Sequence, residues 1–571
     1  MALFAGTSAD EVIGPSFVTD SVFSNPAGAR PSTAEDVING GGGDDSIDAS
    51  GGNDVVVGGL GADDVILGQG DDIFRARRGD GFDLINGGPG YDSYEWTGSD
   101  DDGAGEFDSA GLELLASGTG LLDHPSGRLN DIERLRFDLG GGGSDAVSLY
   151  NHAGSSLETI EIVDAEEVFV EGDIAGERLT LRQQGALLTL AGLQAVVTIE
   201  NLGDGFLYIS ARDGADSVDL TALGGSGGRV RVDGGDGNDL ILAGARAEHL
   251  SGGDGSDRIS YAGSPEGVEV GHPGLAGIGG WAEGDELLSW ESLTGSAFAD
   301  TLGGTGLGDI LAGGAGNDRI EALGGIDALN GGAGDDKLDG GSGADLMFGG
   351  DGDDQFRIDH PGDRMVERVG GGLDYAISGI SLALPANVEN LVFLEGGGPL
   401  TGRGNGLANE IRGNEDDNAL HGLGGADVLK GEDGNDMLSG GVGADVTSGG
   451  VGDDRIYGGS GADLHRGGFG IDRFFFDTQL GSGVDTIDDF VAADDTIMLD
   501  RTHFGDIAAG TLAADAFVLG NAAQDAEDRL IYHKPTGRIF FDADGAGGAA
   551  AMLFARVDPG TELSHLDFRG Y

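Results

Sequence analysis

Apolar residues recur along much of this chain at a fixed interval of nine, each two positions after an aspartate. From residue 295 the aspartates are Asp300, Asp309, Asp318, Asp327, Asp336, Asp345 and Asp354. Their apolar partners are Leu302, Leu311, Ile320, Leu329, Leu338, Met347 and Phe356. The unit reads G-G-x-G-x-D-x-U-x, with U apolar, as in GGAGNDRIE at 313–321. Its glycines admit positive φ, which predicts a tight six-residue turn with carbonyls directed inward. The last three residues predict a brief strand whose U side chain faces the interior. One unit turns and crosses, so two units close a coil and residues 18 apart stack on one edge. The expected fold is all-β: a parallel β-roll, or β-solenoid, built of nonapeptide repeats.

The same period marks two further runs. One places Asn409, Asn418, Asp427, Asp436, Asp445, Asp454, Asp463 and Asp472 at its sixth positions. The other places Asp45, Asp54, Asp63 and Asp72, with Asp83 and Asp92 following a two-residue insertion. Fragments recur at Asp216, Asp239 and Asp257. These runs divide the chain into a repeat block at 1–95, an irregular β-rich segment at 96–212 and a degenerate repeat with spacer at 213–294. A roll at 295–360, a spacer at 361–403, a second roll at 404–476 and a C-terminal β cap at 477–571 complete the map. A flexible acidic linker is the bland alternative, but a linker needs no register. In the last run the apolar position reads Leu429, Leu438, Thr447, Ile456, His465, Phe474. Thr447 and His465 stack on one side, and the expectation is a loosely packed or partly solvated side there rather than a site at His465.

Composition turns this architecture toward metal chemistry. The chain has 31 Lys+Arg against 101 Asp+Glu, a formal charge of −70, with 116 glycines and no cysteine among 571 residues. That excludes a disulfide scaffold, a Cys-ligated zinc or iron–sulfur site, and a basic nucleic-acid surface. Scattered acidity of this degree would predict disorder; in register, it predicts cation binding. Two stacked carboxylates one strand apart repel when empty. With a hard divalent cation between them and turn carbonyls completing the shell, they make an all-oxygen site suited to Ca²⁺. Mg²⁺ resists dehydration and demands octahedral geometry, so it fits less well. The candidate ligands are the nine-spaced sixth-position residues of the three runs, with Asp239 and Asp257 added from the fragments.

These motifs resemble the RTX, or haemolysin-type calcium-binding, repeat proteins, over 295–360 and 404–476 above all, then 37–95 and, in patches, 213–260. The resemblance implies a β-roll holding calcium between successive turns. Pairing residues 18 apart gives five aspartate pairs in the middle run, four in the last and two in the first. The total is about 11 calcium sites, with Asn409–Asp427 and Asn418–Asp436 as weaker ones.

Four stretches outside the repeats read apolar-Glu-x-Leu: Ile132 to Leu135, Ile199 to Leu202, Trp290 to Leu293 and Val388 to Leu391. Each is expected to open a strand that re-enters the solenoid. Segment 96–212 alternates in strand fashion, for example at Thr159 to Val163, and is where an independent activity would sit. The final hundred residues, with Phe474-Phe475-Phe476 and Asp485-Thr486-Ile487, resemble the C-terminal domain of serralysin-type metalloproteases. That resemblance implies an uncleaved type I secretion signal, although the ending Asp567-Phe568-Arg569-Gly570-Tyr571 departs from the family's acidic-then-apolar finish. Met1 to Asp10 offers no basic or apolar leader, so export by a signal other than a cleaved N-terminal one is expected. The most apolar window, 186–199, is too short to span a membrane.

Catalytic motifs are absent from the sequence. The ten histidines lie singly, with no H-E-x-x-H, so no protease domain accompanies the serralysin-like end. Gly224 to Gly228 spells a nucleophile elbow only by glycine abundance. Arg78-Gly79-Asp80 reads as a degenerate repeat, and His503 and His533 as core or surface residues. No Gly-Lys pair exists for a P-loop. The expectation is a secreted, extracellular or cell-surface calcium-binding protein without enzymatic activity, a matrix, adhesion or surface-layer component. Its partners would be the type I secretion machinery, and further copies or anionic glycans bridged through calcium. A polysaccharide- or ester-modifying enzyme with a site in 96–212 is the alternative, and a pore-forming toxin is disfavoured.

Overall fold

The computed structural model describes residues 31–77, 83–87, 92–97, 206–224 and 228–571 throughout, and only short strands within 1–30 and 98–205. The chain divides into two compact units, Met1–Gly303 and Gly304–Tyr571. Both are parallel β-solenoids. The only helical elements among the described residues are four single turns of 3₁₀ helix, so none is long and apolar enough to cross a membrane.

In the second unit the nine-residue period becomes two walls. Strands Ile310–Ala315, Ala328–Ala333, Leu346–Asp351 and Arg364–Val366 pair in parallel along one wall. Arg319–Glu321, Lys337–Asp339 and Gln355–Ile358 do so along the other. Each pairing places a U residue over the next, as in Leu311↔Leu329↔Met347 and Ile320↔Leu338↔Phe356. All six are at most 1% exposed, and burying each side chain is worth roughly 1.5–3 kcal/mol. The core is thus a double file of single side chains, one per nonapeptide, and the turns carry everything else.

The turns demand left-handed backbone at the unit's second and fourth positions. Gly450 and Gly452 have φ of 119° and 140°, and a side chain at Gly450 would press on the carbonyl of Glu432 in the adjoining coil. Leu323, Leu423 and Glu432 occupy second positions at φ of 73°, 79° and 79°, so the turn is kept at a cost of about 1–3 kcal/mol each.

The stretch 361–403 changes the coil length without leaving the roll. Tyr375–Ser378 pairs with Gln355–Ile358, Asn390–Phe393 with Tyr375–Ser378, and Glu410–Arg412 with Asn390–Phe393, all in parallel. From there the two walls run in coils of 18 to Leu464–Phe469 and Arg473–Phe476. Asp485–Ile487 and Thr496–Leu499 each add one further parallel strand. The pairing then turns antiparallel through Leu530–His533, Arg538–Phe541 and Met552–Val557. Phe504 packs edge-on against Phe541 and Phe554, and Phe554 against Phe476, closing the end of the roll with aromatic rings.

The first unit opens in the same way. Val37–Gly42, Val55–Leu60 and Ile73–Arg77 stack in parallel, as do Ser46–Asp48, Asp64–Ile66 and Leu84–Asn86. Strands within 98–205 continue in parallel from both walls: Arg134–Asp138 lies on Ser93–Thr97, and Arg128–Asn130 on Leu84–Asn86. Phe206–Ser210 and Ser217–Ala222 then lead into coils at Arg229–Gly237 and Leu240–Leu242.

The four apolar-Glu-x-Leu marks behave differently from one another. Ser292–Thr294 and Asn390–Phe393 begin directly after Glu291 and Glu389, and re-enter the roll. Arg134–Asp138 begins inside the first mark. At Ile199 the expectation fails, because Val196–Glu200 ends there instead of starting. A strand already running simply spends its last residues on an apolar-Glu pair.

Candidate metal centre

Each coil's sixth-position residue is tied to the next coil by its backbone. The amide N–H of Asp318 donates to Asp336 Oδ1 at 2.8 Å, and that of Asp336 to Asp354 Oδ1 at 2.8 Å. Asp309, Asp327 and Asp345 form the facing file, with distances of 2.7 and 2.9 Å. In the last run Asp427, Asp445 and Asp463 stack at 2.8 and 2.9 Å, and Asp436, Asp454 and Asp472 at 2.8 and 3.0 Å. Asn409 and Asn418 donate to Asp427 and Asp436 at 2.7 Å. In the first unit Asp45 donates to Asp63, Asp54 to Asp72 and Asp239 to Asp257, at 2.7–2.8 Å. The amide fixes one carboxylate oxygen and aims the other into the turn.

That second oxygen is where the chemistry lies. Oδ2 of Asp54, Asp72, Asp239, Asp257, Asp327, Asp336, Asp345, Asp354, Asp427, Asp436, Asp445, Asp454, Asp463 and Asp472 is buried without a hydrogen-bond partner. A buried anionic oxygen left this way costs several kcal/mol unless a proton or a cation satisfies it. The point over Gly440 where a Cβ would stand is bounded by Asp445 Oδ2 and by the Gly458 carbonyl, 2.7 Å away. Carboxylate and carbonyl oxygens facing one small space are the donor set of a hard divalent cation, so these residues fit Ca²⁺.

Burial, and then neighbouring carboxylates, push these groups far above the ordinary carboxylate range. Asp54, Asp336 and Asp354 are raised to about 7, and Asp454 to about 8. Asp436, whose acidic neighbours are Asp417, Asp433 and Glu432, is raised to about 7. Asp257, Asp327, Asp427, Asp463 and Asp472 are raised to about 6.

Four sequence candidates are built differently. Asp300 Oδ2 accepts from the Ser296 amide at 2.5 Å, and Asp309 Oδ2 from the Thr305 amide at 2.7 Å. Asn409 and Asn418 accept in the same way from Asn405 and Asn414 at 2.8 and 2.7 Å. The second position of each of these units is Ser, Thr or Asn, whose N–H folds back on the sixth residue and fills the turn from within. Where that position is glycine, or Leu323, Leu423 or Glu432 at positive φ, the turn stays open. That one letter is the signal that separates the two classes.

The structure also extends the files beyond the nine-residue register. Asp72 donates to Asp92, Asp354 to Asp374, Asp463 to Asp485 and Asp472 to Asp495, at 2.9–3.1 Å and separations of 20–23 residues. Glu389 and Glu291 take the aspartate's role where the repeat is interrupted, accepting from the amides of Asp374 and Asp257 at 3.0 and 2.8 Å. Asp354, Asp374 and Glu367 bring three carboxylates within 4.8 Å of one another. Glu367, 8% exposed, is raised to about 7 by burial and the two aspartates. Asp92 is reached in sequence through its two-residue insertion, whereas Asp374, Asp485 and Asp495 lie outside a count of nine; the acids of two apolar-Glu-x-Leu marks, Glu291 and Glu389, are the usable signal.

The Thr447–His465 side is not loose or solvated. The two side chains are 0% and 3% exposed and joined by a 2.8 Å hydrogen bond between Oγ1 and Nδ1. Burial lowers the His465 pKa to about 4, so its ring is neutral. His533 pairs locally with Thr536. Arg78-Gly79-Asp80, the centre of the Gly224 to Gly228 stretch and the side chains of 98–205, Val168 excepted, lie outside the described residues.

A family profile for the RTX calcium-binding nonapeptide repeat (4 copies) matches residues 32–65, 39–74, 225–245, 233–263, 290–320, 303–325, 321–356, 412–447 and 439–474. Among solved structures, the chain is similar to the AlgE6R3 subunit of the Azotobacter vinelandii mannuronan C5-epimerase, at 25% identity and a TM-score of 0.18, over 28% of this chain and 78% of that one. No curated protein matches the chain.

Proposed function

We propose, for a chain that belongs to the RTX calcium-binding repeat proteins, that filling of the carboxylate files by Ca²⁺ is the event that folds it. The folded roll then serves outside the cell as non-enzymatic surface, matrix or adhesion material. One observation carries the reading: a row of buried carboxylate oxygens, aimed at turn carbonyls and lacking any partner. In a low-calcium cytosol these files and the −70 charge oppose collapse, which keeps the chain extended for export. At a calcium concentration ten times the Kd, each site contributes about 1.4 kcal/mol. About 11 sites give on the order of 15 kcal/mol, as large as the whole stability of a domain. Type I export through the serralysin-like end belongs to the same reading.

About 11 bound ions would leave a charge of roughly −48, enough for further calcium to bridge copies or anionic glycans. Circular dichroism at pH 7.5 tests the folding claim: β signal is expected in millimolar calcium and not in EDTA. Light scattering tests the assembly claim, with calcium-dependent growth expected. Equal β content in both buffers would sink the first, and a strictly monomeric calcium form the second.

A further inference from the structure

One place in the last roll departs from the all-oxygen pattern. The U position that holds Leu429, Leu438, Ile456 and Phe474 holds Thr447 and His465 in two coils of the same wall, and these pair directly in register. In ordinary repeats this side chain covers the carboxylate's second oxygen with hydrocarbon. A Cβ on Gly40 would stand 3.2 Å from Ile47 Cδ1, and one on Gly58 3.2 Å from Phe74 Cζ. Over Gly458 the same point lies 2.6 Å from Asp463 Oδ2 and 2.8 Å from His465 Nε2. An imidazole nitrogen has replaced a methyl group beside a carboxylate oxygen.

We propose that Asp463, His465 and Asp485 form a mixed nitrogen–oxygen site for one divalent transition-metal ion of borderline softness, zinc in the first instance, within a row of all-oxygen calcium sites. One ligand atom from each residue lies within 4.8 Å of the other two. Asp463 is 2% exposed and its Oδ2 has no partner. Asp485 stands in the file directly above it, its Oδ1 accepting from the Asp463 amide at 3.1 Å. Thr447 supplies what a ligating histidine needs on its far side. Oγ1 and Nδ1 are 2.8 Å apart, and in the tautomer whose Nδ1–H donates to the hydroxyl the lone pair is left on Nε2, facing the carboxylate.

The donor set decides the ion. Calcium asks for six to eight oxygens, whereas imidazole with two carboxylates suits zinc and its neighbours in the first row. A buried hydroxyl–imidazole pair also costs stability in a file otherwise filled by Ile411, Leu429 and Ile487. That cost is offset once the nitrogen binds a metal.

The test uses the full-length chain saturated with calcium and titrated with Co²⁺ as a spectroscopic probe. One equivalent should bind with ligand-field absorption, and Zn²⁺ should displace it. His465→Leu restores the residue found at Leu429 and Leu438. It should lose that absorption while keeping the calcium-dependent β signal, which is read separately and reports on the folding claim. Thr447→Val should weaken Co²⁺ binding tenfold or more. Absence of the band in the unaltered protein, or its survival in His465→Leu, would overturn the proposal.

Discussion

Removing calcium should make the roll's stability depend on pH in a direction opposite to that of most acidic proteins. In the second unit six acids have folded-state values far above their ordinary ones. Asp336, Asp354, Glu367, Asp436 and Asp485 stand at about 7 and Asp454 at about 8, against 3.8 for Asp and 4.5 for Glu. Burial is the main cause for each, with crowding by like charges added. A folded-state pKa above the unfolded one means the folded chain holds more protons between the two values. The calcium-free fold is therefore fully stabilised below pH 4 and loses stability as pH rises through 7 and 8. Each such group contributes a slope of about 1.4 kcal/mol per pH unit. Asp336, Asp354 and Glu367 repel one another, as do Asp436 and Asp454, so the six do not titrate independently. Their joint effect between pH 5 and 6 is on the order of several kcal/mol, a large part of the stability of a domain. The assay is circular dichroism in EDTA across pH 4.5–8, with urea melts where a folded form persists. The β signal should be present at the acid end and lost toward neutrality. A signal that is flat, or that grows with pH in EDTA, would refute the reasoning, because the carboxylates would then not be the groups that hold the empty roll apart. With calcium present the ions displace those protons, so titration at pH 6 should release protons into the buffer.

Further outcomes follow from single residues. Asp454→Asn should stabilise the calcium-free form at pH 7.5, since a neutral amide at this buried position needs no proton taken up on folding, and should lower calcium affinity at its own turn. Melts in EDTA and in calcium should therefore move in opposite directions. Glu367→Gln should weaken calcium binding at its own turn about tenfold, read by chelator competition, because it takes one of three carboxylates from the group with Asp354 and Asp374. Leu423→Gly should raise the melting temperature through relief of about 1–2 kcal/mol of left-handed strain, while Gly450→Ala should lower it.

Much of the roll is legible in the sequence because its core is one residue deep. With a single U side chain per unit, the spacing of Leu311, Ile320 and Leu329 is itself the fold. The sites are legible for the same reason, since a file of aspartates can only stack at the coil length. What escaped the count were coils of other lengths, where Asp374, Asp485 and Asp495 keep the hydrogen-bond pattern at separations of 20–23. Backbone pairing tolerates a longer turn, and a strict period does not. The Ser, Thr and Asn residues at second positions carry their effect through backbone amides that close on Asp300, Asp309, Asn409 and Asn418, which residue type alone does not reveal. In sequence His465 reads as a loosely packed position, because its surroundings depend on what its ring meets, and only its burial against Thr447 shows a close-packed side.

The most direct test is equilibrium dialysis of calcium at pH 7.5 with the β signal recorded at every point. If the carboxylate files are calcium sites whose filling folds the chain, about ten or more ions should bind per chain, with signal and occupancy rising together over a narrow concentration range. A chain already fully folded before the first ions bind, or one that folds with only one or two ions bound, would contradict it.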